Sequence, residues 1–202
     1  GGATADVDPR WLAILAADRV AAESSSEVDA PTSGGLSLNV NVEDGLVSGF
    51  APSGAKVLMT VQRTGSAPIS MWADPAYTDA GWLYARQFWM YLPYGVYTVG
   101  FQPGDWVTVT QGSQTLSLTV PPLDALGFAS TDVVTGQSQP GAALTAYVFP
   151  ALDPAQSFTA TTTANGAGAY QVDFGSITDL QPGDSGWVPQ SFDASRTVAA
   201  RI

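Results

Sequence analysis

The side chains that most often carry chemistry are scarce in this sequence, and those that remain are acids, hydroxyls and aromatics. Its 202 residues include no histidine, no cysteine and one lysine, Lys56. Without His there is no imidazole base, no Ser-His-Asp triad and no histidine metal site. Without Cys there is no thiol nucleophile and no thiolate zinc site. The three glutamates, Glu23, Glu27 and Glu43, all lie towards the N-terminus. A glycosidase would have to pair carboxylates across a cleft, here most simply two aspartates, and no spacing marks such a pair. No Gly-rich loop ends in Lys-Ser or Lys-Thr, so no phosphate cradle is expected. Together these absences predict a protein that is not an enzyme.

Three groups of residues remain. The first is a run of aromatics: Trp72, Tyr77, Trp82, Tyr84, Phe88, Trp89, Tyr91 and Tyr94. Exposed Trp and Tyr anchor protein interfaces and stack on sugar rings, whereas alternating aromatics also cap a core. The expected binding face comprises Trp82, Tyr84, Phe88, Trp89 and Tyr91; as a glycan platform it would use Trp82, Trp89 and Tyr91. The second group is acidic loops, with Asp74 and Asp79 in one region and Asp173, Asp179 and Asp184 in another. Calcium takes oxygen ligands, but no run has the dense Asp-x-Asp spacing of a dedicated loop. Solvated turns are the plainer reading, and no cofactor is expected. The third is Lys56, which opens a strand near Asn39, Asn41 and Glu43. A Lys–Asn isopeptide bond is one chemistry for that set, and a surface lysine is the simpler one.

Charge narrows the partners. Seven basic and 18 acidic residues leave a net charge of −11. Phosphate binding needs clustered Lys and Arg, so nucleic acid is not an expected partner, and anionic membrane surfaces are disfavoured too. No apolar run approaches the ~20 residues of a membrane-spanning helix. The chain begins Gly1-Gly2-Ala3-Thr4-Ala5-Asp6, with neither a basic n-region nor an apolar h-region. A Thr-, Ser- and Gly-rich, lysine-poor composition fits the cell exterior. The expectation is a mature secreted or cell-surface protein.

The elements that must position these residues are β-strands, and they come in two copies. Leu46-Val47-Ser48-Gly49-Phe50-Ala51-Pro52-Ser53-Gly54-Ala55 is matched 87 positions later by Val133-Val134-Thr135-Gly136-Gln137-Ser138-Gln139-Pro140-Gly141-Ala142. Each leads into an aliphatic strand, Val57 to Val61 and Leu144 to Val148. Further on, Gly95 to Phe101 matches Gly168 to Phe174, and Pro103-Gly104-Asp105 matches Pro182-Gly183-Asp184. The changing offset gives the first copy 14 extra residues within 64–94, where the aromatics concentrate. A repeated strand–turn–strand unit implies duplication of one fold.

The expected class is all-β: two tandem sandwiches preceded by a short helix. Asp8-Pro9 is an N-cap followed by a first-turn proline. The segment after it places Trp11, Leu12 and Leu15 on one face, with Ile14 beside them. An isolated helix of this length is marginal in water, so these four residues are expected to pack on the first sandwich or on another subunit. A polar linker closes residues 1–35. The first sandwich spans 36–121, with the aromatic insert at 64–94. Its expected strands lie near 36–42, 46–51, 56–63, 81–92, 96–101, 105–111 and 115–120. Pro121-Pro122 forms a stiff boundary. The second sandwich spans 122–202, with strands near 126–130, 133–138, 143–149, 157–163, 168–174, 185–190 and 196–202. Asn165-Gly166 marks a tight hairpin within it.

Val134-Thr135-Gly136, Pro140-Gly141-Ala142, the Thr-rich run 159–163, Asn165-Gly166 and Tyr170 together resemble the bacterial immunoglobulin-like repeats of large cell-surface proteins. The Gly-x-Tyr hairpin is also similar to carboxypeptidase-regulatory-like domains. The likeness covers about 36–202 and is better in the second copy. It implies immunoglobulin-like sandwiches and an extracellular scaffold or adhesion role. The expected function is a non-enzymatic structural subunit of a surface filament, layer or adhesin. Identical subunits would associate through the N-terminal segment and the aromatic insert. The alternative is a carbohydrate-binding module.

Overall fold

A computed structural model describes residues 35–51, 55–74, 87–93, 100–153 and 155–202. The expected N-terminal helix lies outside them. Every regular element among the described residues is a β-strand. The first half contributes β1 (Leu38–Asn41), β2 (Leu46–Phe50), β3 (Val57–Gln62), β4 (Ile69–Ala73), β5 (Gln87–Tyr91), β6 (Trp106–Gln111) and β7 (Gln114–Thr119). The second contributes β8 (Leu126–Phe128), β9 (Val133–Gln137), β10 (Ala143–Phe149), β11 (Phe158–Thr163), β12 (Ala169–Asp173), β13 (Ser185–Asp193) and β14 (Arg196–Arg201).

The strands form three sheets. One has the order β4-β3-β6-β7, one β12-β9-β8, and the largest β11-β10-β13-β14-β1-β2-β5. Each half repeats the same wiring. The four-strand run β4-β3-β6-β7 corresponds to β11-β10-β13-β14, and the three-strand run β5-β2-β1 to β12-β9-β8. Duplication is therefore visible in topology as well as in turn motifs.

The halves meet at an unusual seam. β14, the last strand, pairs in parallel with β1, the first, in the register Leu38↔Arg196 to Asn41↔Ala199. The ladder extends beyond the strands, since Leu38 N–H donates to Ser195 O (2.7 Å) and Val42 N–H to Ala199 O (3.0 Å). One seven-stranded sheet thus takes strands from both sides of the Pro121-Pro122 junction. That junction is itself core material: Val120 and Leu123 are buried, and Pro121 with them.

Period-two alternation builds the interior. Val57, Met59 and Val61 of β3, Val107 and Val109 of β6, Leu38 and Val40 of β1, and Val188, Val198 and Ala200 of β13 and β14 all point inward. They join one hydrophobic cluster that runs through both halves.

Three features differ from the sequence reading. Asn165-Gly166 does not close a hairpin, because β11 and β12 lie in different sheets and pair with β10 and β9. β4 was not anticipated; its inward residues Ile69, Met71 and Ala73 are only half-buried, which dulls the hydrophobic alternation. The first-half counterpart of β12 is β5, not the 95–101 block. β5 pairs with β2 as β12 pairs with β9, and Leu92 N–H bonds Gly45 O as Phe174 N–H bonds Asp132 O. The matched Gly and Tyr in that block lie among residues 94–99, outside the described part.

Candidate functional site

The repeated motifs turn out to be fasteners. In both halves a Gln-Pro-Gly-Asp turn has its glycine at positive φ, 92° at Gly104 and 101° at Gly183. Proline followed by a left-handed glycine is type II turn chemistry. The turn's aspartate then accepts from the backbone of its glutamine: Gln102 N–H to Asp105 Oδ2 and Gln181 N–H to Asp184 Oδ2, each 2.9 Å. Asp105 is buried, and Arg63 grips it with two bonds of 2.8 and 2.6 Å while also donating to Gly100 O. Asp184 instead accepts Ala151 N–H at 2.9 Å.

Other acids act alike. Asp124, Asp132, Asp173 and Asp193 accept the backbone N–H of Gln137, Leu180, Gly175 and Ser195. The Arg196 guanidinium on Asp193 holds that carboxyl below its ordinary range. Asp173 and Asp184, weighed above as calcium ligands, are therefore engaged as turn acceptors, and Asp79 lies outside the described residues. No group of three or more acids is close enough to hold a metal among the described residues. Lys56 is exposed.

Buried amides and hydroxyls follow the same rule. Gln111 donates to Ala55 O, and its counterpart Gln190 bridges Ser138 and Gln139, so each fastens the segment that leads into β3 or β10 of its own half. Sequence reasoning passed over both glutamines; the signal was a polar residue in phase with inward valines. Tyr170 donates to Asp124 O at 2.6 Å. Burial, with Asp124 and Glu43 nearby, pushes its hydroxyl pKa up, so the proton stays on.

The aromatics predicted to bind are divided by the pleat of β5. Phe88 points inward and is 1 % exposed, so it is a core residue and not part of a binding face. Trp89 and Tyr91 point outward, 49 % and 43 % exposed, opposite Ser48 and Leu46 at one edge of the seven-stranded sheet. Burial and the neighbouring Asp44 raise the Tyr91 pKa. Trp82 and Tyr84 lie outside the described residues, as do Trp11, Leu12, Ile14 and Leu15. Towards the other edge of that face, Trp187 packs on Tyr147 and Phe149, with ring centroids 6.2 and 4.9 Å apart.

A second aromatic face was not anticipated as a unit. On the outer side of the four-stranded sheet, Trp72 of β4 lies in a row with Leu58, Thr110 and Thr115. The next row is Ser70, Thr60, Thr108 and Ser117, and the third is Gln62, Trp106 and Thr119. Trp72 and Trp106 are among the exposed large hydrophobics, at 63 % and 47 %. Thr60 shares a hydrogen bond with Ser70 (3.1 Å), and Thr110 with Thr115 (3.2 Å). The sequence signal was a tryptophan at an outward position of an alternating strand.

No protein-family model matches the sequence, and no curated protein matches it. Among solved structures, the chain is similar to a tetra-tandem repeat from the extending region of a large adhesion protein. That likeness has 13 % identity and TM-score 0.32 and covers 82 % of this chain and 48 % of the other. It is similar to the BSP domain of a biofilm-associated protein at 12 % identity and TM-score 0.31, covering 82 % and 28 %. It is also similar to the Group B Streptococcus pullulanase SAP at 10 % identity and TM-score 0.27, covering 83 % and 23 %. The chain thus spans less than half the length of each. At these TM-scores the likenesses bear on neither fold nor function.

Proposed function

We propose that this chain is a non-enzymatic structural module of an extracellular or cell-surface protein, and a subunit of a filament, layer or adhesin. The observation that carries this reading is the use of its acids. Asp105, Asp124, Asp132, Asp173, Asp184 and Asp193 each accept a backbone N–H at a turn or strand end. Carboxylates committed in this way stiffen loops, and their acceptor atoms are already engaged by the backbone. Two immunoglobulin-like sandwich units that share a sheet make a stiff body, suited to bearing load or spacing attachments. Assembly through residues 1–35 and the aromatic insert is argued from their composition: an apolar segment, expected from sequence to be a helix marginal on its own, and aromatics beyond what a repeat needs.

Light scattering on the chain with and without residues 1–30 tests the assembly step. The full chain is expected to self-associate with rising concentration and the shortened chain to remain a monomer. A monomer in both cases at high concentration contradicts it.

A further inference from the structure

No outward strand position of β3, β4, β6 or β7 carries a charged side chain, although the chain's net charge is −11. Lys56 and Asp74 lie just beyond the strands at one end. The face is also regular, for its three ladders run without a bulge. Trp72 and Trp106 stand at diagonal positions, two strands and four residues apart, which separates their Cα atoms by roughly 16 Å. Between them lie Thr60 and Thr108.

We propose that this face binds a neutral, extended, β-linked polysaccharide chain, with Trp72 and Trp106 each stacking on one sugar ring. The electron-rich face of an indole attracts the C–H groups of a pyranose. Threonine hydroxyls, each both donor and acceptor, match the sugar hydroxyls that flank the stacked rings. Charge selects the polymer. The acidic field of the molecule repels a polyanion. An uncharged polymer meets no such penalty. Shape selects the linkage: platforms roughly 16 Å apart on an open sheet face suit an extended chain, whose rings run on in one direction, better than a coiling α-linked one.

Isothermal titration with cellohexaose, against maltohexaose and polygalacturonate as controls, tests the proposal. Cellohexaose is expected to bind and the controls not to. Trp72→Ala and Trp106→Ala should each weaken binding about tenfold, while Phe128→Ala, an exposed aromatic on the three-stranded sheet, leaves it unchanged. Both side chains are exposed, so the melting temperature should hold; where it falls, the Gln variant replaces the Ala variant. Any of these results overturns the proposal: no cellohexaose binding by the unaltered chain, unchanged binding in Trp72→Ala and Trp106→Ala, or equal loss in Phe128→Ala. Self-association lost in Trp72→Ala with glycan binding intact would make the face an interface between copies, and also overturns it. Glycan binding is read on the chain whether or not it assembles, so this test and the light-scattering test fail separately.

Discussion

Gly49 and Gly136 are small because a neighbouring stretch of backbone occupies the space a side chain would need. A Cβ on Gly136 would sit 2.1 Å from Asp124 O and 2.6 Å from the Tyr170 hydroxyl; one on Gly49 would sit 2.1 Å from Ser37 O. The nearest crowding atom in each case is a backbone carbonyl, which cannot rotate aside. Each glycine lets the preceding segment cross close enough to bond: Phe50 N–H reaches Ser37 Oγ, and Gln137 N–H reaches Asp124 Oδ1, both at 2.8 Å. Gly136→Ala is therefore expected to destabilise by about 3 kcal/mol or more. Gly166→Ala meets nothing within 4 Å and should change stability by only about 0.5 kcal/mol. Chemical denaturation of the two variants checks the contrast, and equal stabilities would contradict it. The sequence showed that these glycines repeat. Only the structure shows what crowds them, because the crowding carbonyl lies on a segment, just before β1 or β8, that no local pattern connects to the glycine.

The seam between β14 and β1 is held at both ends by side chains from the two halves. Glu43 accepts Arg201 N–H at 2.9 Å, and Asp44 pairs with the Arg201 guanidinium. At the other end Arg196 donates to Ser117 O of β7. Burial raises the Glu43 pKa, outweighing the opposing Arg201 contacts. A carboxyl that holds its proton more tightly when folded favours folding at low pH, and that contribution is lost as pH rises through the folded pKa. Glu43→Gln keeps an acceptor for Arg201 N–H without the burial penalty. The variant should thus melt higher than the parent at about pH 7, and this gap should close by about pH 4. A gap that widens on acidification would contradict the account. Strands with inward alternation, such as β3, β6, β10 and β12, were legible in the sequence. β4 and the pairing of β5 were not, because half-burial and extra aromatics blur the period of two. The parallel seam was not legible either: it joins residues some 158 apart, and nothing in either strand names its partner.

Across the whole molecule, the seam and the buried junction change what the duplication means. A repeat with a proline boundary suggests two bodies on a stiff connector. Here the junction residues Val120 and Leu123 sit in a cluster common to both halves, and a single sheet crosses between them. Neither half keeps its own edge at the seam, so neither is expected to melt alone. The outer faces differ in kind: the four-stranded one is uncharged and carries two tryptophans, while the seven-stranded one mixes aromatics with Arg201. Aromatic content was readable from sequence, but which tryptophans share a face was not, since Trp72 and Trp106 meet only through the register of three strands. The most direct measurement is scanning calorimetry of the intact chain. One transition is predicted, with calorimetric and van't Hoff enthalpies equal. Two resolved transitions, one for each half, would contradict a shared core and a shared sheet.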